Sequence, residues 1–189
     1  MKDVIRTFIA IKIQPEQKLI DQRAKLKQLF KNERINWVSE DNFHLTLRFT
    51  GDTTREQLYA LVDGLEALTP QFKPFEIKVE GAGYFSAKGK PRVLFVKVAC
   101  PEMMNDLVAG VERTVQEAGF HRELKPFRPH LTLGRIKYLE NNNRFFEILD
   151  TMPQLEYQRQ IVNEIVLYQS ILRPEGPVYK TIQKFEFGK

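Results

Sequence analysis

His44-Leu45-Thr46-Leu47 and His130-Leu131-Thr132-Leu133 are the same four residues in the same order, 86 positions apart in a chain of 189. Each reads as β-strand, because polar and apolar residues alternate with a period of two. Leu45 and Leu47 then turn to one face while His44 and Thr46 turn to the other, and the second copy does the same with His130 and Thr132. The repeat extends outward: Ile11-Lys12-Ile13 and Val96-Lys97-Val98 lie 85 residues apart, and each leads through a helical stretch to its His-Leu-Thr-Leu strand. Two copies are too few for a solenoid and indicate a duplicated half-domain. No linker-like stretch separates the copies, so residues 1–189 are expected to form a single two-lobed domain.

The surrounding elements follow from periodicity and punctuation. Residues 5–13 are β-branched and aromatic and predict a strand, followed by a helix over 15–32 with Leu19, Ala24, Leu26, Leu29 and Phe30 on one stripe. After the strand 43–49, Thr53 with Glu56 predicts a capping box for a helix carrying Leu58, Leu61, Val62, Leu65 and Leu68, stopped by Pro70. The second half predicts a strand at 75–80, a glycine-rich turn region at 81–89 and a strand at 93–98. A helix opened by Pro101 and capped by Gly119 follows. Then come a strand at 130–136, a short helix at 143–149, and strands at 160–169 and 178–187 around a turn at 173–177.

Composition bounds the function. Hydrophobic residues make up 42% and charged residues 28%, which excludes disordered and low-complexity classes. No apolar run approaches the roughly 18–20 residues of a membrane span, and no signal peptide is visible, so no membrane association is expected. The single cysteine, Cys100, offers neither a disulfide nor zinc-finger spacing and points to a reducing, cytoplasmic setting. A net charge of +5 with scattered basic residues favours an anionic partner without deciding one.

Two histidines and two hydroxyls, if the lobes face each other, are a suitable set for phosphodiester chemistry. Such a reaction needs a base for the attacking water, an acid for the leaving oxygen and donors for the non-bridging oxygens. Imidazole titrates near neutrality, so one ring can be charged while the other is neutral. No metal and no other cofactor is then required, and two histidines without a nearby third ligand make a poor zinc site. The bland alternative for either strand alone is polar residues on the wet face of a sheet. With only three histidines in the chain, coincidence does not explain two of them standing two residues before a threonine. His121, the third, has no matching threonine and reads as structural or solvated. Arg48 has the parity of His44 and Thr46 and is expected on their face, within reach of an RNA phosphate. Phe127 and Tyr168 could stack on a base or serve the core.

The paired HxTx motifs resemble the two-histidine (2H) phosphoesterase superfamily. The flanking segments, from 6–10 through 44–51 and 127–135 to 170–174 with Gly176 and Tyr179, are similar to its RNA 2′,3′-cyclic phosphodiesterase branch, historically called 2′-5′ RNA ligase. Thr50 departs from the branch, which usually has leucine there. The resemblance implies an α+β fold with two antiparallel sheets facing each other across a central cleft and helices outside. It also implies metal-independent hydrolysis of RNA 2′,3′-cyclic phosphate ends to 2′-phosphates, with reverse 2′-5′ ligation as the same chemistry run backward. In family terms His44 is the proton donor and His130 the proton acceptor, Thr46 and Thr132 hold the phosphate, and Arg135 contacts substrate. Strand parity sets Arg135 opposite to His130, unless Gly134 marks a bulge or the strand ends there. The expected partner is RNA with a cyclic phosphate end or a small cyclic nucleotide, bound by a monomer. Two other readings remain open: a phosphodiesterase for 2′-5′ oligonucleotides or other cyclic nucleotides, and a catalytically silent RNA-end-binding module.

Overall fold

The apolar run near the start of the chain forms Ile5–Lys12 (β1), central to the computed structural model, which describes residues 4–174 and 176–188. This strand is buried on both faces. Ile9 and Ile11 enter the main core, while Phe8 and Ala10 form a smaller cluster with Val166 and Tyr168 on the other side. The chain continues through α1 (Gln17–Leu29), β2 (Arg34–Trp37), β3 (His44–Thr53), α2 (Arg55–Leu68), β4 (Phe75–Ala87), β5 (Lys90–Ala99) and α3 (Met103–Glu117). It ends with β6 (His130–Tyr138), α4 (Asn142–Asp150), β7 (Glu156–Val162), β8 (Glu164–Ile171) and β9 (Val178–Glu186).

All the strand pairings are antiparallel, in the order β7-β4-β5-β6-β3-β1-β8-β9. The α+β expectation holds, but instead of two separate sheets the described strands form one nine-stranded sheet, whose arms β7-β4-β5-β6 and β3-β1-β8-β9 are joined edge to edge by one residue pair, Leu45 with Leu131. Past that pair the edge of β6 is taken by β2, through Trp37 opposite Gly134 and Ile35 opposite Ile136. β3 must therefore turn away, and the two arms splay around a cleft. The helices following β1 and β5 cross over: α1 packs on β7 and α3 on β3. One continuous apolar core under both arms takes Leu45, Leu47, Leu131 and Leu133 together with Leu26, Leu65, Leu107 and Val111 from the helices.

A second tie between the arms is polar. Gln158 accepts from the Glu16 amide (2.8 Å) and donates to the Gln14 carbonyl (3.0 Å). Gln160 accepts from the Gln14 amide (3.1 Å) and donates to the Lys12 carbonyl (2.8 Å). The two side-chain amides thus satisfy the backbone that leaves β1, in place of a missing strand.

Several elements differ from their sequence reading. The stretch 81–89 is not a turn region: β4 runs to Ala87, and the reversal is only Lys88 and Gly89, at φ 51° and 74°. These left-handed values give the two-residue hairpin that suits the twist of the flanking strands. Gly83 stands inside the strand because a Cβ there would meet the Phe95 ring at 2.8 Å. The single strand read over 160–169 breaks at Asn163, where the chain passes from one arm to the other as β7 and β8. The capping box belongs to Thr54 and Gln57, one residue later than read. Thr53 instead joins a buried hydroxyl cluster, 2.7 Å from Thr7, which also reaches Thr50 at 2.6 Å. Of the turn read at 173–177, Glu175 lies outside the described residues. Among the described residues no helix is long and apolar enough to cross a membrane.

Candidate active site

His44 and His130 are the first residues of β3 and β6, and the two are held alike. The Nδ1 of each lies 2.6 Å from the carbonyl oxygen two residues earlier, Asn42 for His44 and Arg128 for His130. A carbonyl only accepts, so Nδ1 donates and carries the proton, leaving Nε2 free for chemistry. The register is also duplicated: Lys12 pairs with His44 and Ala10 with Thr46, as Lys97 pairs with His130 and Phe95 with Thr132. Because β3 and β6 run antiparallel through Leu45 and Leu131, His44 falls beside Thr132 and Thr46 beside His130 on one face.

Each ring has its own aromatic seat. Phe8 and the edge of Tyr179 stand 5.1 Å from His44, and Phe85 and Phe95 stand 4.7 and 5.4 Å from His130. These walls were missed in the sequence, since Phe8 and Phe95 read there as ordinary strand residues and Phe85 fell in the stretch read as a turn region. Their effect is electrostatic. Burial pushes His44 down to about 4, helped by the charges of Lys12, His130 and Arg135 and opposed by its bond to Asn42. His130 is lowered for the same reason, burial first and then Arg135, against its bond to Arg128.

The two arginines separate, and one structural device explains both. Ala10 pairs with Thr46 but Ile9 with Arg48, so Leu47 is an extra residue; likewise Phe95 pairs with Thr132 but Leu94 with Gly134, so Leu133 is extra. Each HxTx strand therefore carries a bulge straight after its threonine, and alternation restarts one residue later. Arg135, opposite Val93, comes onto the His130 face, where its charge acts on His44, His130 and Tyr179. The bulge that Gly134 hinted at is what brings it there.

Arg48 goes the other way, and the parity expected for it fails at the same kind of bulge. Phe49 takes up the alternation of His44 and Thr46, packing 5.7 Å from Phe8, and Arg48 lines the cavity beside it with its guanidinium turned to α3. The Arg48 side chain, 11% exposed, donates through Nε to Glu112 on α3 (2.7 Å) and lies 3.8 Å from Glu123. It also donates to the carbonyls of Phe49 and His121, so its guanidinium is committed to protein groups. The His121 ring is exposed, in keeping with its solvated reading. Tyr168 is buried against Phe8 at 5.1 Å and serves packing, while Phe127 is half-buried and lines the cavity beside His130.

Two imidazoles whose Nε2 atoms make no hydrogen bond among the described residues and two hydroxyls thus share one face, with the Arg135 charge acting on both rings. The family described as LigT like Phosphoesterase matches this chain twice, over residues 11–95 and 96–179, the two halves of the repeat. An RNA 2′,3′-cyclic phosphodiesterase of Thermotoga maritima is 33% identical over 184 residues, covering 97% of this chain and 96% of that protein. The crystal structure of a Thermus thermophilus protein superimposes with a TM-score of 0.77 at 27% identity, over 96% of this chain and 97% of the other. E. coli LigT complexed with 3′-AMP shares the fold, with a TM-score of 0.76 at 21% identity, covering 99% and 100%. The chain belongs to the LigT-like phosphoesterases, and carries one copy of the family's unit in each half.

Proposed function

We propose that this chain hydrolyses RNA 2′,3′-cyclic phosphate ends to 2′-phosphates, without a metal, using His44 and His130 as the acid and base pair. The observation that carries the reading is the duplicated seat of the two imidazoles, each presenting Nε2 to one cleft beside the other's threonine. Relatives bearing the name RNA 2′,3′-cyclic phosphodiesterase across nearly the whole chain support the substrate.

In the proposed step His130 Nε2 takes a proton from water as its oxygen attacks phosphorus. The bond from phosphorus to O3′ breaks, and His44 Nε2 gives its proton to that oxygen. Thr46, Thr132 and Arg135 donate to the non-bridging oxygens, where charge builds. The unequal burial of the histidines suits these roles. A strongly depressed imidazole is the stronger acid once protonated, and the less depressed one is the better base. The phosphate anion supplies the charge that lets His44 hold its proton when substrate is bound. Every group comes from one chain, so a monomer suffices. Ligation is the same exchange with a ribose hydroxyl in place of water, and water is in far greater supply.

The first test is incubation with EDTA and a short RNA ending in 2′,3′-cyclic phosphate, with the product identified by phosphorus NMR. A 2′-phosphate is expected. A 3′-phosphate, or loss of activity on chelation, would overturn the scheme, and absence of turnover would favour a 2′-5′ substrate or a binding module. The pH dependence is a second expectation. Both free-enzyme histidines titrate below the ordinary 6.5, so kcat/KM falls on the alkaline side with an apparent pKa under 6.5. In kcat the same limb moves to higher pH, because bound phosphate favours the charged imidazole. A kcat/KM flat from pH 5 to 8 would contradict this.

A further inference from the structure

The cavity on the His130 side of the cleft is larger than a terminal cyclic phosphate requires. It measures about 900 Å³, near the upper end for ligand pockets, and Thr46, Phe85 and His130 are among the residues that line it. Its lining also includes the apolar side chains of Phe49, Val108 and Phe127. Its outer wall is the segment between α3 and β6, which presents Arg122, Lys125 and Arg128 as exposed side chains. None of the three is in an ion pair among the described residues, whereas the two acids of this wall are already occupied. Glu112 and Glu123 both face the Arg48 guanidinium, and Glu112 also accepts from the Glu123 amide at 2.9 Å. Arg48 thus fastens the wall and offsets one of its two carboxylates, and the three exposed cations Arg122, Lys125 and Arg128 leave the rim net positive beside Phe49, Phe85 and Phe127.

That combination is how single-stranded nucleic acid is held: bases stack on aromatic faces while cations follow the phosphates. The cavity on the far side of His44 lacks it. It is about 350 Å³, and its lysines stand beside acids, Lys184 2.7 Å from Glu164 and Lys12 donating to the Asp41 carbonyl.

We propose that the cavity beside His130 binds the RNA nucleotides on the 5′ side of the cyclic phosphate, so that the protein selects strand ends over mononucleotides. This rests on the phosphodiesterase reading above. The test compares kcat/KM for adenosine 2′,3′-cyclic phosphate with that for a trinucleotide ending in 2′,3′-cyclic phosphate, at several salt concentrations. The trinucleotide should be preferred by about tenfold or more, through KM, and the preference should decline with salt. Substituting both Arg122→Gln and Lys125→Gln, at exposed positions, should remove most of the preference and flatten its salt dependence. Hydrolysis of both substrates with equal kcat/KM would overturn the inference alone, as would an unchanged preference in the double variant. Failure to hydrolyse either substrate would overturn the phosphodiesterase reading itself.

Discussion

Replacing His44 or His130 by alanine will lower kcat on an RNA cyclic phosphate end by about 10²-fold to 10⁴-fold, the usual contribution of a positioned acid or base. The two losses will not add. Groups that act as one unit leave little for the second deletion to remove, so the double variant should lie within about tenfold of the worse single one. Stability measurements on the same proteins separate a catalytic from a structural effect. His44 is held neutral by burial, with its pKa lowered from 6.5 to about 4. The unfolded chain therefore binds the extra proton across that window. Stability is full above pH 6.5 and is lost as pH falls toward 4, by roughly 3 kcal/mol from this group. His44→Ala should lose activity, yet unfold with a weaker dependence on acid than the wild type. Retained turnover in both single variants would sink the acid and base assignment.

Arg135→Ala is the second large expectation: kcat/KM for the cyclic phosphate should drop by about 10²-fold, the cost of removing one preorganised donor from a developing oxyanion. Arg135→Lys should recover only part of it, because a point charge does not replace a planar fork. The arginine's charge also pushes both histidines down. Its removal should therefore shift the alkaline limb of kcat/KM to higher pH, which a merely structural residue would not do. Unchanged kinetics with an unmoved pH profile would take Arg135 out of the site.

Much of this protein was legible in its residues. A repeated HxTx strand contains its own geometry: period-two alternation sends the leucines to a core and the histidine and threonine to the other face. With the internal echo at 85 and 86 residues, that sufficed to read a duplicated strand pattern with two histidines and two threonines on matching faces. Helices were legible where an apolar stripe and a cap coincided, as in α3 with Gly119 behind it. The reading failed where a local pattern admits two partners. Residues 160–169 are rich in β-branched and aromatic residues on both sides of Asn163, and only docking onto β4 and then β1 breaks them into two strands. Short β2 has no signal of its own and exists because the edge of β6 was free.

The bulges after Thr46 and Thr132 belong to the same class, and they carried the largest consequence. An extra residue opposite a partner strand depends on the ladder and not on the residue's type. Parity counted along the chain therefore set Arg48 with its histidine and Arg135 against its own, and pairing with β1 and β5 exchanged their alternation, with the Arg48 guanidinium taken up by Glu112. The repeat by itself determined that two histidines and two threonines stand in matching strands. Which arginine lies close enough to act on the histidines, how dry each histidine is, and which cations stay out of ion pairs among the described residues were decided only by tertiary structure, because register, burial and ion pairing arise between segments distant in the chain.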